Sequence, residues 1–302
     1  VNLTGFSASY RSILTPEESG DVVFDFNCSG IVELMVDGEK AASFTNRHGT
    51  RKVSHTMKVE AGKAYELEIL YEPLKNEAQL HFDLGFKDDL DIRRSLERVK
   101  DADLVIFAGG ISPLLEGEEM GVDLPGFRRG DRTDIELPAV QRELITALHR
   151  AGKKIVLVNC SGSPIALVPE TAMCEAILQA WYPGQEGGTA VAEVLFGDYN
   201  PAGRLPVTFY SGLSQLPDFE DYSMKGRTYR FMDQEPLFPF GFGLSYTTFS
   251  YGAPQLNKSV ITAGETLKLT VPVTNSGSRD GEEVLQLYLR KVGDAGGPLK
   301  TL

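Results

Sequence analysis

Carboxylates crowd a single stretch of this chain. Glu116, Glu118, Glu119, Asp123 and Asp131 all fall in the run from Asp103 to Pro138, DLVIFAGGISPLLEGEEMGVDLPGFRRGDRTDIELP. Neighbouring like charges and partial burial both raise a carboxyl pKa, so one member of such a cluster could hold a proton near neutral pH and deliver it as a general acid. Glu116 and Glu118 are two residues apart, which turns them to the same side of an extended segment. A solvated acidic loop has the same composition, and spacing alone favours that plainer account. Asp131-Arg132 carries two readings of its own, a pair at the entry to a helix or a clamp on substrate.

Little else in the sequence competes for chemistry. Cys28, Cys160 and Cys174 give neither an even disulfide framework nor a metal-ligand spacing, and the last two sit in apolar surroundings that suit core residues. His48, His55, His81 and His149 are scattered without an HExxH pattern, so no metal is expected. Ser161-Gly162-Ser163 follows a strand but is not a GxSxG elbow, and the phosphate-binding glycine patterns are missing, so no cofactor is expected either. With 30 basic and 42 acidic residues the net charge is −12, which would repel nucleic acid and anionic membrane alike. No apolar run approaches the roughly 18–20 residues of a spanning helix. The chain opens on a valine inside strand-like sequence and stops at LKTL, and is expected to be a fragment.

Three textures position these residues. Residues 1–86 read as all-β: DVVFDFNCSG and IVELMVDG are short strands, Asp37-Gly38 is a hairpin turn, and AGKAYELEILYE sets Tyr65, Leu67 and Ile69 against Glu66 and Glu68. Residues 87–248 alternate helices and strands. A helix over DDLDIRRSLERVKDA has Leu90, Ile92, Leu96 and Val99 on its inner side, and the strand Leu104–Ala108 leads into the acidic loop. A helix from Pro138 to His149 follows, with Val140, Leu144, Ile145 and Leu148 apolar, and then the strand KKIVLVNC and a helix ending on Gly197. Uninterrupted apolar strands in this alternation predict a parallel sheet covered on both faces, and the carboxyl end of such a strand is where open α/β sheets bind ligands. Residues 249–302 are β again, with ETLKLTVPVTN and GEEVLQLYLRK predicted as strands of an immunoglobulin-like sandwich. The expected fold class is therefore multi-domain: a β-sandwich, an α/β/α sandwich and the start of an immunoglobulin-like sandwich.

Longer motifs now carry a resemblance. AILQAWYPGQEGGTAVAEVLFGDYNPAGRLPVTFY, from Ala176 to Tyr210, and FPFGFGLSYTTFSYG, from Phe238 to Gly252, resemble the C-terminal α/β domain of family 3 glycoside hydrolases. LEGEEM followed by GDRTDIELPAVQRELI is similar to that family's acid/base loop and the helix after it. VTNSGSRDGEEVLQLYL resembles its fibronectin type III-like tail, and residues 1–86 resemble the PA14 domain some members carry.

The resemblance implies a retaining exo-β-glycosidase of the β-xylosidase or β-glucosidase type, acting on oligosaccharides outside the cytoplasm, in the periplasm or secreted. Such enzymes use two carboxyls about 5–5.5 Å apart, one as nucleophile and one as acid/base. The family's nucleophile is an Asp on an N-terminal barrel absent from this sequence, so the chain is expected to be inactive alone, with that barrel as its missing partner. Loops of SGEG or EAEG type align best with Glu118 as acid/base, and Glu116 is the alternative. EGE lies nearer the xylosidase side of the family. Trp181 is expected in core packing rather than as a sugar platform, and Phe238, Phe240 and Phe242 as packing. The competing account is a non-catalytic set of carbohydrate-binding modules.

Overall fold

The computed structural model describes residues 5–74, 78–86, 91–116, 122–294 and 296–302. The chain divides into two compact units, Val1–Asp91 and Ile92–Leu302.

The first unit is built on one long strand. Its elements are β1 (Ala8–Leu14), β2 (Gly20–Val36), β3 (Glu39–Val59), β4 (Tyr65–Glu72) and β5 (Leu80–Phe86), all paired antiparallel. DVVFDFNCSG and IVELMVDG are not two strands but the two halves of β2, bent by an irregularity between Cys28 and Gly30. On one edge the first half pairs with β5 and the second with β4, while β3 runs along the other edge. The Asp37-Gly38 turn forms as expected, with both residues at positive φ (51° and 81°), closing β2 onto β3 at Val36 and Glu39. Val22, Phe24, Phe26, Val32 and Leu34 of β2 are buried with Tyr65, Leu67, Ile69 and Tyr71 of β4, so the period-2 alternation reads true.

The second unit centres on a parallel three-stranded sheet. α1 (Ile92–Arg98) precedes β6 (Leu104–Gly110). A small antiparallel sheet of two-residue strands follows, β7 (Asp123–Leu124), β8 (Phe127–Arg128) and β9 (Asp131–Arg132). Next come α2 (Ala139–Arg150), β10 (Lys154–Cys160), α3 (Val168–Met173), β11 (Ala176–Gln179) and α4 (Gly187–Phe196), the last closed by Gly197 at φ 82°. The sheet order is β11-β10-β6, with β10 central and Ile155 and Leu157 fully buried.

Leu96, within α1, and Val99, just after it, join Leu144, Ile145 and Leu148 of α2 in covering the face that carries Val105 and Phe107. Leu90 lies outside the described residues. The other face is not covered as the apolar pattern predicts: Leu104 and Ile106 of β6 are 47% and 48% exposed, because no described helix packs there. Val140 is likewise exposed, since α2 turns only Leu144, Ile145 and Leu148 inward.

The remainder holds a short α5 (Thr228–Phe231) and the strands β12 (Phe249–Tyr251), β13 (Gln255–Leu256), β14 (Leu269–Thr270) and β15 (Val273–Asn275). β12 pairs with β15 and β13 with β14, antiparallel. GEEVLQLYLRK does not form the expected strand. Its Leu285, Leu287 and Leu289 are exposed, and only Leu289 makes an isolated bridge, to Thr301. This part is tied to the α/β part through Arg204 on Glu283 at 3.1 Å and Asn200 on the Asp280 carbonyl at 2.8 Å. No helix among the described residues is long and apolar enough to cross a membrane.

Candidate active site

All three parallel strands release their chains on the same side, so the segments after β6, β10 and β11 meet there. Gly110 ends β6 at φ 127°, packed so tightly that a Cβ would lie 1.9 Å from the Cys160 carbonyl oxygen. Gln141 of α2 bonds both backbone groups of Gly110, accepting from its N–H at 2.8 Å and donating to its C=O at 2.7 Å. The strand end is thereby satisfied from outside the sheet. A turn closed by the Leu115 amide on the Ser112 carbonyl (2.8 Å) then delivers Glu116.

Glu116 is enclosed rather than solvated. Its Oε1 accepts a short hydrogen bond from the Ser163 hydroxyl and its Oε2 one from the Tyr182 phenol. Arg132 Nη1 lies 3.8 Å from Oε1 and donates to Ser163 Oγ at 2.9 Å and to the Pro164 carbonyl at 3.2 Å. Ser163 therefore relays the guanidinium to the carboxylate. The Arg132 and Glu116 side chains are only 14% and 16% exposed. Burial lowers the Arg132 guanidinium from its ordinary range, opposed by Glu116, Asp134, Tyr182 and Glu136. Desolvation, then the bond to Glu116, pushes the Tyr182 phenol up to about 12, so it stays a donor throughout the neutral range.

The platform beneath is polar and buried. Asn159, at the end of β10, donates to Gln179 of β11 at 2.6 Å. Gln179 donates to Ser161 Oγ at 3.2 Å, and Ser161 donates to the Ser163 carbonyl at 2.8 Å. NCSGSP is thus the hub that fixes Ser163. Gly162 within it leaves no room for a side chain: a Cβ would sit 2.4 Å from Tyr182 Cε2 and 2.9 Å from Glu116 Oε2.

Behind the loop, Arg142 of α2 binds the fully buried Glu170 through Nε (2.7 Å) and Nη2 (3.1 Å), and Glu136 through Nη1 (2.7 Å). A pocket of about 980 Å³ lies between α1, α2 and the hairpin, lined by Leu96, Phe127, Leu137 and Arg142 among others. It includes none of Glu116, Ser163 or Tyr182 and is not the carboxylate site.

The residues picked from sequence divide as follows. Glu116 is at the centre of the constellation, whereas Glu118 and Glu119 lie outside the described residues. Asp131-Arg132 is neither helix entry nor an open clamp: it forms β9, and Arg132 is spent on the loops around it. Ser163, Gly162 and Tyr182 were not read as site residues. Their signal was a serine-rich turn directly after an apolar strand and the YPG that follows β11.

Trp181 lies two residues beyond β11, at φ 56°, a conformation uncommon for any residue with a side chain. It does pack edge-on against Phe209 at 6.0 Å, and Phe238 stacks on Phe242 at 5.1 Å, as packing residues do. Burial pushes the Cys174 thiol up to about 11 and raises Cys28 also, so neither is a reactive thiolate near neutral pH.

Residues 25–246 match the model of the glycosyl hydrolase family 3 C-terminal domain. The chain is 50% identical over 299 residues to a xylan 1,4-beta-xylosidase of Xylanibacter ruminicola, covering 98% of this chain and 34% of that protein. A periplasmic beta-glucosidase of Salmonella typhimurium is 39% identical over 281 residues, 87% of this chain and 33% of that one. In structure the chain is similar to a beta-glucosidase from Kluyveromyces marxianus, with a TM-score of 0.76 at 26% identity over 97% of this chain and 36% of that chain. The chain thus spans about a third of the length of these relatives. A family model covering most of the chain and half-identity along nearly all of it lead to one conclusion: the chain belongs to glycosyl hydrolase family 3, by its C-terminal domain.

Proposed function

We propose that this chain is the acid/base-bearing part of a retaining exo-β-glycosidase that removes terminal β-linked xylose or glucose from oligosaccharides. The observation that carries the reading is the 50% identity, along 98% of the chain, to a protein named for xylan 1,4-beta-xylosidase activity. Together with the EGE loop, it favours xylose over glucose. In this reading residues 1–86 are PA14-like, 87–248 the family's α/β domain and 249–302 fibronectin type III-like. An N-terminal barrel of the parent protein supplies the nucleophilic Asp.

Glu118 is the acid/base. It protonates the glycosidic oxygen as the sugar passes to the nucleophile, then takes a proton from the water that cleaves the glycosyl-enzyme. Glu116 is the weaker candidate for that role, because both its oxygens already accept hydrogen bonds from Ser163 and Tyr182. The periplasm or the exterior of the cell is the proposed location, in keeping with the substrate and with the periplasmic relative.

The test is turnover of xylobiose, cellobiose and aryl β-glycosides by the full-length parent protein and by residues 1–302 alone. The parent is expected to release xylose or glucose one unit at a time, and residues 1–302 none. An inactive parent, with the fragment binding xylo-oligosaccharides in calorimetry, would replace this reading with the binding-module account.

A further inference from the structure

Two large aromatic side chains stand in water on a loop that is otherwise tightly held. Phe219 and Tyr222 are 89% and 86% exposed, and Met224 is exposed beside them in sequence. The loop between Pro217 and Thr228 is braced from within. Asp218 closes a turn around Phe219, its Oδ1 accepting from the Glu220 amide at 2.9 Å and its carbonyl from the Asp221 amide at 3.0 Å. Asp221 Oδ1 accepts from the Ser223 amide at 2.8 Å, and Arg227 Nη2 donates to the Asp218 and Asp221 carbonyls, both at 2.9 Å. Met224 and Thr228 are held at φ 63° and 55°, conformations that cost energy in a residue with a side chain, most of all in a branched one. The backbone is thus fixed while both rings project into solvent.

This loop is rooted beside the carboxylate cluster. Trp181, next to Tyr182, packs edge-on against Phe209, and the adjacent Tyr210 hydroxyl accepts from the Thr228 amide at 3.1 Å. A Cβ on Gly212 would lie 4.0 Å from Glu136 Oε1, and the Glu136 carbonyl accepts from Arg132 at 3.4 Å. Both ends of the loop therefore lie on the side where β6, β10 and β11 release their chains.

We propose that Phe219 and Tyr222 are docking anchors for the N-terminal, nucleophile-bearing part of the parent protein, which closes over this loop and takes both rings out of water. The identity of the partner rests on the function proposed above. A nucleophile and an acid/base that share one glycosidic bond must meet, and they meet at the carboxyl ends of the parallel strands. The loop lies on that side, and about two thirds of the relatives' length lies outside this chain and is available to cover it. Exposed aromatics on a prearranged backbone suit an interface, because they bury large area and their ordering cost is already met. Asp218, Glu220 and Asp221 flank the rings, so the receiving face is an apolar pocket edged by Lys or Arg.

Hydroxyl-radical footprinting tests this without any substitution, because it reads the oxidation of Phe, Tyr and Met side chains directly. It is applied to residues 1–302 and to the full-length parent, both without sugar. Phe219 and Tyr222 should oxidise at least about 5-fold more slowly in the parent, as residues at the core of an interface do, and should stay protected on about 10-fold dilution. Phe209, 1% exposed in this chain, is the control that reacts slowly in both. Phe219→p-benzoylphenylalanine in the parent should, on irradiation, cross-link to a peptide N-terminal to residue 1.

Equal oxidation of the two rings in the two proteins would overturn the proposal. Protection gained only on adding xylo-oligosaccharide would overturn it in favour of a sugar platform, and protection lost on dilution in favour of a second copy of the chain. A cross-link only to sequence beyond Leu302 would give the loop a different partner and overturn it too. Footprinting of the wild type decides the matter if the substituted protein does not fold. Activity is a separate readout. A parent that hydrolyses xylobiose with both rings unprotected removes this inference and keeps the proposed function, whereas a protected but inactive parent keeps the docking surface and removes that function.

Discussion

A single hydroxyl shows how finely this site is set. The Tyr182 phenol gives its proton to Glu116 and lies above Gly162, and its pKa is raised from the ordinary 10 to about 12. A raised folded-state pKa favours the protonated form, so the Tyr182 contribution to stability is intact below about pH 10 and fades as the pH climbs through 12. Alkaline titration followed by phenolate absorbance should therefore show a tyrosine ionising near 12 that Tyr182→Phe removes. A lost phenol titrating near 10 would mean that the burial of Tyr182 and its bond to Glu116 are absent in solution.

Glu116 and Glu118 were legible in sequence as a pair. The setting of Glu116 was not, because it depends on partners 47 and 66 residues distant that no local spacing encodes. Ser163 and Tyr182 were hidden for the same reason. Each is an ordinary residue until the parallel strands bring its turn alongside the acidic loop.

Elements were read more easily, wherever periodicity alone decides them. α2, β10, α4 and the Asp37-Gly38 turn fall where apolar spacing and capping glycines put them. Reading failed where a neighbour decides. β2 is one strand because β3, β4 and β5 pair along its whole length, which overrides the glycine-serine break the sequence shows. GEEVLQLYLRK alternates correctly yet stays unpaired, since a strand needs a partner as well as a pattern.

The junction of β6 with its loop is the element on which the site depends most. Gly110 is held at φ 127° against Cys160. Gly110→Ala should cost more than the roughly 1–3 kcal/mol typical of a strained backbone position, because it adds a backbone clash to the strain. Urea unfolding of this chain measures this; a loss under about 1 kcal/mol would show that the strand end relaxes freely. Gln141 belongs to the same junction, and it was invisible in sequence as anything but a polar helix residue.

At the scale of the molecule, family membership and activity are separate matters. The C-terminal domain of family 3 is here, along with the loop that bears the candidate acid/base, while about two thirds of the relatives' length lies outside this chain. A net charge of −12 repels polyanions. The central claim is that Glu118 is the proton donor of a two-carboxylate hydrolase. It is tested most directly by comparing Glu118→Gln with wild type, in the full-length protein, across aryl β-xylosides of graded leaving-group acidity. We predict losses of about 10²–10⁴-fold in kcat/KM for the least acidic leaving groups, shrinking toward none for dinitrophenol. A loss of the same size on every substrate, or no loss on any, would contradict the assignment.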